Sequence, residues 1–200
     1  MSVWFTSDLH LRHARLVEIR GFETEIDAHD QSILDALGAA VGSGDQLWIL
    51  GDITVGGKAA EDWALRALDE FARKRNVEMH LIPGNHDSCH PMANRNSHIR
   101  QRVFLETFAS VQLFARRKIA GVTVLLSHFP YVGDHTAEDR GVTYRLQDEG
   151  DWLLHGHTHQ DGVLDPSVHP RQIHVGWDSW RRPVHVDEIA EIIGSDASTR

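Results

Sequence analysis

The stretch that decides the fold class is V-E-M-H-L-I-P-G-N-H-D, residues 77–87. Its apolar run, residues 77–82, predicts a buried strand, and Pro83-Gly84 opens a turn at the end of that strand. The turn carries an amide, an imidazole and a carboxylate. Open α/β sheets place their sites where strands give way to loops, so this stretch predicts a layered α/β fold with a site at its strand ends.

Four other short segments place polar side chains after a predicted strand. They are S-D-L-H (7–10), G-D-I-T-V-G (51–56), S-H-F-P (127–130) and H-G-H-T-H (155–159). Residues i and i+2 of an extended chain face the same way, so His157 and His159 can converge on one site. A D-x-H triplet alone is weak evidence, because short motifs occur often by chance. G-N-H-D and H-G-H-T-H are more specific.

The five segments together offer a set of oxygen and imidazole donors. These candidate metal ligands are Asp8, His10, Asp52, Asn85, His128, His157 and His159. Such donors suit divalent Mn, Fe, Zn or Co, of which we favour Mn. Calcium or magnesium would usually be held by oxygens alone. The sequence therefore predicts two divalent metal ions and a hydrolase, with phosphoester cleavage as the leading reaction.

The remaining sequence predicts alternating strands and helices. Strands are expected at residues 3–7, 46–50, 77–82, 111–115, 122–127, 152–155 and 173–176. Helices are expected at residues 14–20, 26–41, 58–75, 100–108 and 187–193. A chain of 200 residues, 41% of them apolar, can bury one sizeable core, so we expect a single domain over residues 1–194. Residues 195–200 are expected to form a disordered tail.

Composition limits the partners and the compartment. The formal net charge is −9, which argues against extended duplex-DNA binding because a basic stripe would be expected there. The lone Cys89 excludes an internal disulfide and is compatible with a reducing compartment. The first predicted strand leaves no room for a cleavable leader, and no apolar run approaches the ~20 residues of a membrane span. We therefore expect a cytoplasmic protein.

The order of the motifs resembles the calcineurin-like metallophosphoesterase superfamily. D-x-H, G-D, G-N-H-D, a single His and G-H-x-H follow one another over almost the whole chain. The chain is most similar to the small bacterial and phage-type phosphoesterases, which begin T-S-D-L-H and end in a segment like V-G-W-D (175–178), followed by P-V and an acidic helix. The resemblance implies a four-layer α-β-β-α sandwich of two mixed sheets flanked by helices.

The resemblance also implies how the ligands divide between two metals. Asp8, His10, Asp52 and His159 would bind one ion. Asp52, Asn85, His128 and His157 would bind the other, so Asp52 bridges. A hydroxide held between ions ~3.5–4 Å apart would be the nucleophile.

Three residues beside the ligands are candidates for other roles. His86 follows the ligand Asn85 and is the candidate general acid. Asp87 could orient His86 or hold it charged, or it could instead cap the following turn. His13 could reach the substrate phosphate or could be a solvated residue of a first helical turn.

The substrate class follows from one departure from the family pattern. Branches that cleave phosphomonoesters carry an Arg soon after G-D, whereas residues 53–58 contain none. We therefore expect a phosphodiesterase, and the resemblance to the small relatives implies small nucleotides, such as 2′,3′-cyclic ones, as its substrates. A phosphomonoesterase (nucleotide phosphatase) and a nuclease of the same superfamily remain alternatives, and a non-catalytic scaffold is the weakest. Residues 88–102 and 131–151, including Arg145, could form the substrate wall.

Overall fold

Two mixed β-sheets form the centre of the molecule, whose computed structural model describes residues 1–136 and 138–197. The first sheet contains β1 (Val3–Thr6), β2 (Gln46–Ile49), β3 (Glu78–Leu81), β4 (Ser110–Val111) and β9 (Val184–His185). The second contains β5 (Ala115–Ile119), β6 (Val122–Leu126), β7 (Trp152–His155) and β8 (Gln172–His174). Their spatial orders are β4-β3-β2-β1-β9 and β5-β6-β7-β8.

Most neighbouring strands run parallel, so several strand ends meet at one edge. β1 to β4 are parallel, and β9 pairs antiparallel with β1. β6 to β8 are parallel, and β5 pairs antiparallel with β6. The loops that follow the parallel strands therefore gather at the carboxyl edge of each sheet.

Helices flank the sheets. They are α1 (Ala14–Ile19), α2 (Ile26–Ala40), α3 (Lys58–Arg75), α4 (Ser97–Phe104), α5 (Trp177–Trp180) and α6 (Val186–Ala197). α3 ends where Asn76 adopts a left-handed backbone and its N–H donates to carbonyls of the last turn. This arrangement of two mixed sheets flanked by helices confirms the predicted fold class.

Side chains of β2 alternate between the two faces of the first sheet, and each face packs into its own hydrophobic core. Leu47 and Ile49 face one side, where they pack with apolar residues of α2, α3 and α4. Trp48 and the following Leu50 face the other side, where they pack with apolar residues of β6, β7 and β8. Each face of the first sheet is thereby buried, which fixes the register of its strands.

The chain crosses between the sheets at a point that the sequence did not indicate. The predicted strand 111–115 is wrong as a single element, because β4 ends at Val111 in the first sheet and β5 begins at Ala115 in the second. β5 reads A-R-R-K-I, and the arginine at 116 and the lysine at 118 are exposed while Ala115 and Ile119 are buried. The run V-Q-L-F-A (111–115) is apolar except for Gln112, so nothing in the sequence indicated this change of sheet.

The carboxyl-terminal helix is longer than predicted. α6 continues to Ala197, and the Ser195 hydroxyl donates to the Ile192 carbonyl at 2.7 Å. The last part of the predicted tail, residues 198–200, lies outside the described residues. Among the helices that the structure describes, none is both long enough and apolar enough to cross a membrane.

Candidate metal centre

All seven candidate ligands lie in loops that follow strands. Asp8 and His10 follow β1, and Asp52 follows β2. The others follow β3, β6 and β7; they are Asn85, His128, His157 and His159. The two sheets meet here, because the His157 backbone N–H donates to Asp8 Oδ2 at 3.0 Å. The structure therefore brings together residues that lie up to 151 positions apart in the chain.

Five of the seven candidate ligands have a left-handed backbone. They are Asp8, His10, Asp52, His157 and His159, with φ between 48° and 68°. This conformation costs a non-glycine residue roughly 1–2 kcal/mol. Hydrogen bonds between loops maintain it, since the Asp8 N–H donates to the Gly51 carbonyl at 2.9 Å and the His10 N–H to the Asp52 carbonyl at 3.0 Å. Strain of this kind is typical of functional sites.

The donor atoms form two overlapping groups. Asp8, His10 and His159 each place a donor atom within 4.8 Å of the others, and Asp8, Asp52 and His128 do the same. The Nε2 atoms of His10 and His159 lie 3.2 Å apart. Two imidazole nitrogens this close together, with the buried carboxylates beside them, could bind the same cation.

Asn85 joins the second group. Its Oδ1 atom lies 2.9 Å from His157 Nδ1 and 3.2 Å from His128 Nε2. An amide oxygen, imidazole nitrogens and carboxylates form the donor set expected for divalent Mn, Fe, Zn or Co. The residues present therefore fit two neighbouring divalent ions.

The electrostatics of the two carboxylates also favour cations. Asp8 and Asp52 are both buried. Burial, followed by the adjacent Asp8 carboxylate, raises the pKa of Asp52 well above its ordinary value. Two neighbouring buried carboxylates resist joint ionisation unless positive charge compensates them. Divalent ions would supply that charge.

Three of the imidazoles have a partner for the nitrogen that faces away from the centre. His128 Nδ1 lies 2.7 Å from the Leu50 carbonyl. His157 Nε2 lies 3.2 Å from Asp134 Oδ2, and His159 Nδ1 lies 2.6 Å from Asp178 Oδ2. Such partners fix the tautomer and orientation of a metal-binding imidazole.

Two glycines allow the loops to approach the carboxylates. A Cβ atom at Gly84 would collide with the side chain of Asp52 and with that of His128, which follows a strand of the other sheet. A Cβ atom at Gly156 would collide with Ser7 and with the carboxylate of Asp8. The glycines of G-N-H-D and G-H-T-H are therefore required by the close contact between the sheets.

The structure gives Asp87 a role that neither sequence interpretation included. Its Oδ2 accepts the backbone N–H groups of Asp52 (2.9 Å) and Gly84 (2.8 Å), and its Oδ1 accepts that of Ile53 (3.1 Å). The predicted roles, orienting His86 or capping the next turn, do not use these contacts. Burial raises the pKa of Asp87 to about 7, with a further contribution from Asp52. Asp87 joins the G-D loop to the G-N-H-D turn.

His86 and His13 lie at the rim of the centre. The rings of both lie beside His10, with centroids 5.6 Å and 5.3 Å from its ring. The His86 backbone N–H donates to Asp52 Oδ1 at 2.9 Å. Burial, followed by repulsion from His128, lowers the pKa of His86, and burial also lowers the pKa of His13. A bound phosphate anion would favour the imidazolium form of either ring.

Arg145 is engaged within its own loop. Its Nη2 donates to the carbonyls of Gly133 and Arg140, each at 2.9 Å, and its guanidinium pairs with Asp139. Only 5% of its side chain is exposed. These contacts support the loop rather than the predicted substrate contact, because the guanidinium already has protein acceptors.

Three residues of the centre's surroundings were not among the predicted site residues. Asp134 lies in the loop after β6, Asp178 is the second residue of α5, and Arg20 follows α1. Arg20 donates to the carbonyls of Asp8 (2.7 Å) and Leu9 (2.9 Å) and to Asp178 (2.9 Å). Asp178 lies in the V-G-W-D segment that carries part of the resemblance, whereas nothing local to Arg20 or Asp134 indicates these contacts.

Comparisons with known proteins identify relatives in sequence and a solved structure with a similar fold. The gene 66 protein of Mycobacterium phage L5 is 46% identical over 200 residues, covering 96% of this chain and 94% of that protein. The gene 66 protein of Mycobacterium phage D29 is 43% identical over 198 residues, covering 96% of each. A crystal structure of an Aquifex aeolicus protein of unknown function superposes with a TM-score of 0.67 at 22% identity, over 96% of this chain and 98% of that one. This likeness concerns the fold.

The family model described as calcineurin-like phosphoesterase matches residues 1–161, which hold every candidate ligand. Members of that family generally use a dinuclear divalent metal centre. With two mixed sheets flanked by helices and Asp, Asn and His donors gathered at their carboxyl ends, the chain belongs to the calcineurin-like phosphoesterase family.

Proposed function

We propose that this protein is a dinuclear-metal-dependent phosphodiesterase that acts on small nucleotides, including 2′,3′-cyclic ones. The observation that carries the proposal is the convergence of two buried carboxylates with amide and imidazole donors from five loops. Asp52 lies within hydrogen-bonding range of the G-N-H-D turn and within 3.7 Å of both His10 and His128, as a bridging ligand requires.

The ligands divide between two ions as the resemblance implies. Asp8, His10, Asp52 and His159 would hold one ion, and Asp52, Asn85, His128 and His157 would hold the other. Manganese is the proposed metal because the donors mix oxygen with imidazole nitrogen. Two such ions, when bound there, would supply Lewis acidity toward the phosphate and a hydroxide at neutral pH.

The protein's own part in bond cleavage falls to His86. Its position beside His10 and after Asn85 lets it face a phosphate held at the centre. As an imidazolium, His86 donates a proton to the leaving oxygen, so that the leaving group departs as an alcohol. The imidazole is then neutral. His13, whose ring also lies beside that of His10, is proposed to contact a phosphate oxygen.

The preference for a diester rests on the charge near the centre. A diester brings one negative charge and a monoester up to two, so sites for monoesters usually supply additional fixed cations. The loop after Asp52 has no arginine, and Arg145 pairs with Asp139 and loop carbonyls. A monoanionic diester therefore suits this site better.

The test is a substrate panel on protein reconstituted with Mn²⁺. The panel contains bis(p-nitrophenyl) phosphate, p-nitrophenyl phosphate, 2′,3′-cyclic and 3′,5′-cyclic mononucleotides, and single-stranded DNA. We expect a higher kcat/KM for the aryl diester than for the monoester, and cleavage of the cyclic nucleotides. A higher kcat/KM for the monoester would replace the proposal with a nucleotide phosphatase, and preferential DNA cleavage would replace it with a nuclease.

The control for this panel is the same protein after chelation and dialysis. Metal-free protein, verified by elemental analysis, should cleave none of the substrates. Full activity without metal would contradict the whole assignment.

A further inference from the structure

Two aspartates outside the proposed ligand set contact the two histidines of G-H-T-H. Asp134 Oδ2 lies 3.2 Å from His157 Nε2, and Asp178 Oδ2 lies 2.6 Å from His159 Nδ1. The contacted nitrogen is therefore different in the two rings. In each ring the other nitrogen faces the centre.

The nitrogens that face the centre are identified by their neighbours. His157 Nδ1 lies 2.9 Å from the ligand oxygen of Asn85. His159 Nε2 lies 3.2 Å from His10 Nε2. Each aspartate thus accepts an N–H from one side of a ring and leaves a lone pair on the opposite side, toward a metal.

Asp134 lies in the loop between β6 and β7, which also carries the candidate ligand His128, and the ring of the neighbouring His135 lies 5.4 Å from that of His157. Its side chain is 1% exposed, and its Oδ1 accepts Arg140 Nη2 at 3.1 Å. The Arg140 backbone N–H donates to its Oδ2 at 3.0 Å. Arg145 closes the same loop by donating to the Gly133 carbonyl. The loop between β6 and β7 therefore presents a fixed carboxylate to His157.

Asp178 is held by a different part of the molecule. Arg20 Nε donates to its Oδ1 at 2.9 Å, and the Arg20 side chain is fully buried. The same guanidinium donates to the backbone carbonyls of Asp8 and Leu9. Arg20 thereby joins the partner of His159 to the loop that carries Asp8 and His10.

We propose that Asp134 and Asp178 are positioning residues, each of which sets the affinity of a different metal. This inference rests on the proposed function, because it takes His157 and His159 as ligands of separate ions. Asp134 fixes the Nε2–H tautomer of His157, and Asp178 fixes the Nδ1–H tautomer of His159. A carboxylate partner also raises the basicity of the ligand nitrogen, and its loss typically weakens metal binding by about 10–100-fold.

The experiment is a Mn²⁺ titration of the metal-free full chain. Binding is measured by calorimetry and by electron paramagnetic resonance. Wild-type protein should bind two ions. Asp134→Ala and Asp178→Ala should each weaken one of the two by about 10–100-fold and leave the other unchanged. Glu149→Ala is the matched control, since it removes an exposed carboxylate from the same loop as Asp134, and it should retain both affinities.

Double variants identify which ion each aspartate serves. In a His157→Ala background, Asp134→Ala should have no further effect on Mn²⁺ affinity, whereas in a His159→Ala background its full effect should remain. Asp178→Ala should show the reverse pattern. Effects that persist undiminished in the matching histidine variant would overturn the proposal, and so would equal weakening of both ions or no change in either.

Two further outcomes are decisive. If Asp178→Ala fails to fold because Arg20 loses its partner, Asp178→Asn retains an acceptor oxygen and should weaken binding of the same ion by a smaller factor. No change in affinity would overturn the proposal.

A third bound ion that Asp134→Ala removes would make Asp134 a ligand instead. Protein that holds two Mn²⁺ ions but cleaves no diester contradicts the proposed function and leaves this inference standing.

Discussion

The two ends of the first sheet place aspartate in opposite surroundings. At the amino end, Asp45 precedes β2 and accepts N–H groups from Ser2 (2.6 Å), Trp4 Nε1 (3.0 Å) and Gly42 (3.0 Å). At the carboxyl end, Asp8 and Asp52 are buried next to each other. At one end of the sheet, the aspartate carboxylate thus accepts hydrogen bonds from protein N–H groups. At the other end, one aspartate carboxylate lies next to another.

The pKa values follow these surroundings. The N–H of Ser2, more than the other donors, lowers the pKa of Asp45 below its ordinary value. Burial and the Asp8 carboxylate raise the pKa of Asp52. We therefore expect Asp45 to stabilise the fold, and the adjacent carboxylates of Asp8 and Asp52 to lower the stability of the metal-free protein.

The largest effect is expected at the carboxyl end. Asp52→Asn should lower kcat/KM by more than about 100-fold, the upper range for loss of a group that only supports a ligand. Asp8→Asn should be less severe, because Asp52 alone is proposed to contact both ions. In urea unfolding with a chelator present, Asp52→Asn should be at least as stable as wild type, because the substitution removes a buried carboxylate. A large loss of metal-free stability would contradict the comparison.

Proton transfer at the same end can be separated from metal binding. His86→Ala should retain both ions and slow cleavage of a nucleotide ester by roughly 10²–10⁴-fold, because a ribose alkoxide needs a proton. A p-nitrophenyl ester should lose much less, since its leaving group hardly needs one. Steady-state kinetics on both substrates, with metal content measured in parallel, give the answer. Equal losses would assign His86 to phosphate positioning.

The contact between the sheets gives an intermediate effect. Gly156→Ala would force a methyl group against Asp8 and Ser7 and should lower the free energy of unfolding by about 1–3 kcal/mol. It should also weaken Mn²⁺ binding. Gly162→Ala is the matched control, since open space surrounds that glycine, and it should behave like wild type. Similar unfolding curves for the two variants would contradict this prediction. They would mean that the sheets can move apart with no loss in the free energy of unfolding.

The smallest effect is expected at the amino end. Asp45→Asn should lower the free energy of unfolding by about 1 kcal/mol at pH 7 and leave activity unchanged. The folded pKa of Asp45 is depressed, so its contribution is present above the unfolded value of about 3.9 and is lost as the pH falls through the folded value. Urea unfolding of both proteins from pH 7 to pH 3 should therefore show the difference shrink. A constant difference would mean that the charge has no part in it.

The sequence was sufficient to locate the parts of the centre that depend on short motifs. A strand followed by Asp, Asn or His predicts a ligand at a strand end, and the structure gathers all seven candidates there. The strand at Trp152–His155 was predicted with its observed bounds, because its three apolar residues and His155 lie between polar loops. Whether the seven residues bind metal remains a prediction.

The supporting residues could not be found in this way. Arg20 and Asp178 are separated by 158 positions, and only the folding of the whole chain brings them together. Asp87 and Arg145 were assigned by sequence neighbourhood, whereas their contacts depend on how loops fold back on one another. The change of sheet after Val111 has no local signal either, because its apolar residues suit a strand in both sheets.

The left-handed loops have a consequence for anyone who would transplant this centre into a designed protein. Idealised scaffolds keep non-glycine residues at negative φ, so ligand side chains copied onto standard strand ends would point in other directions. The loop backbones would have to be carried over together with Asp8, His10, Asp52, His157 and His159. The same geometry constrains natural drift at these positions. Asp, Asn and His tolerate a left-handed backbone better than most other residues, so conformation restricts the available side chains to good metal ligands before any metal is bound.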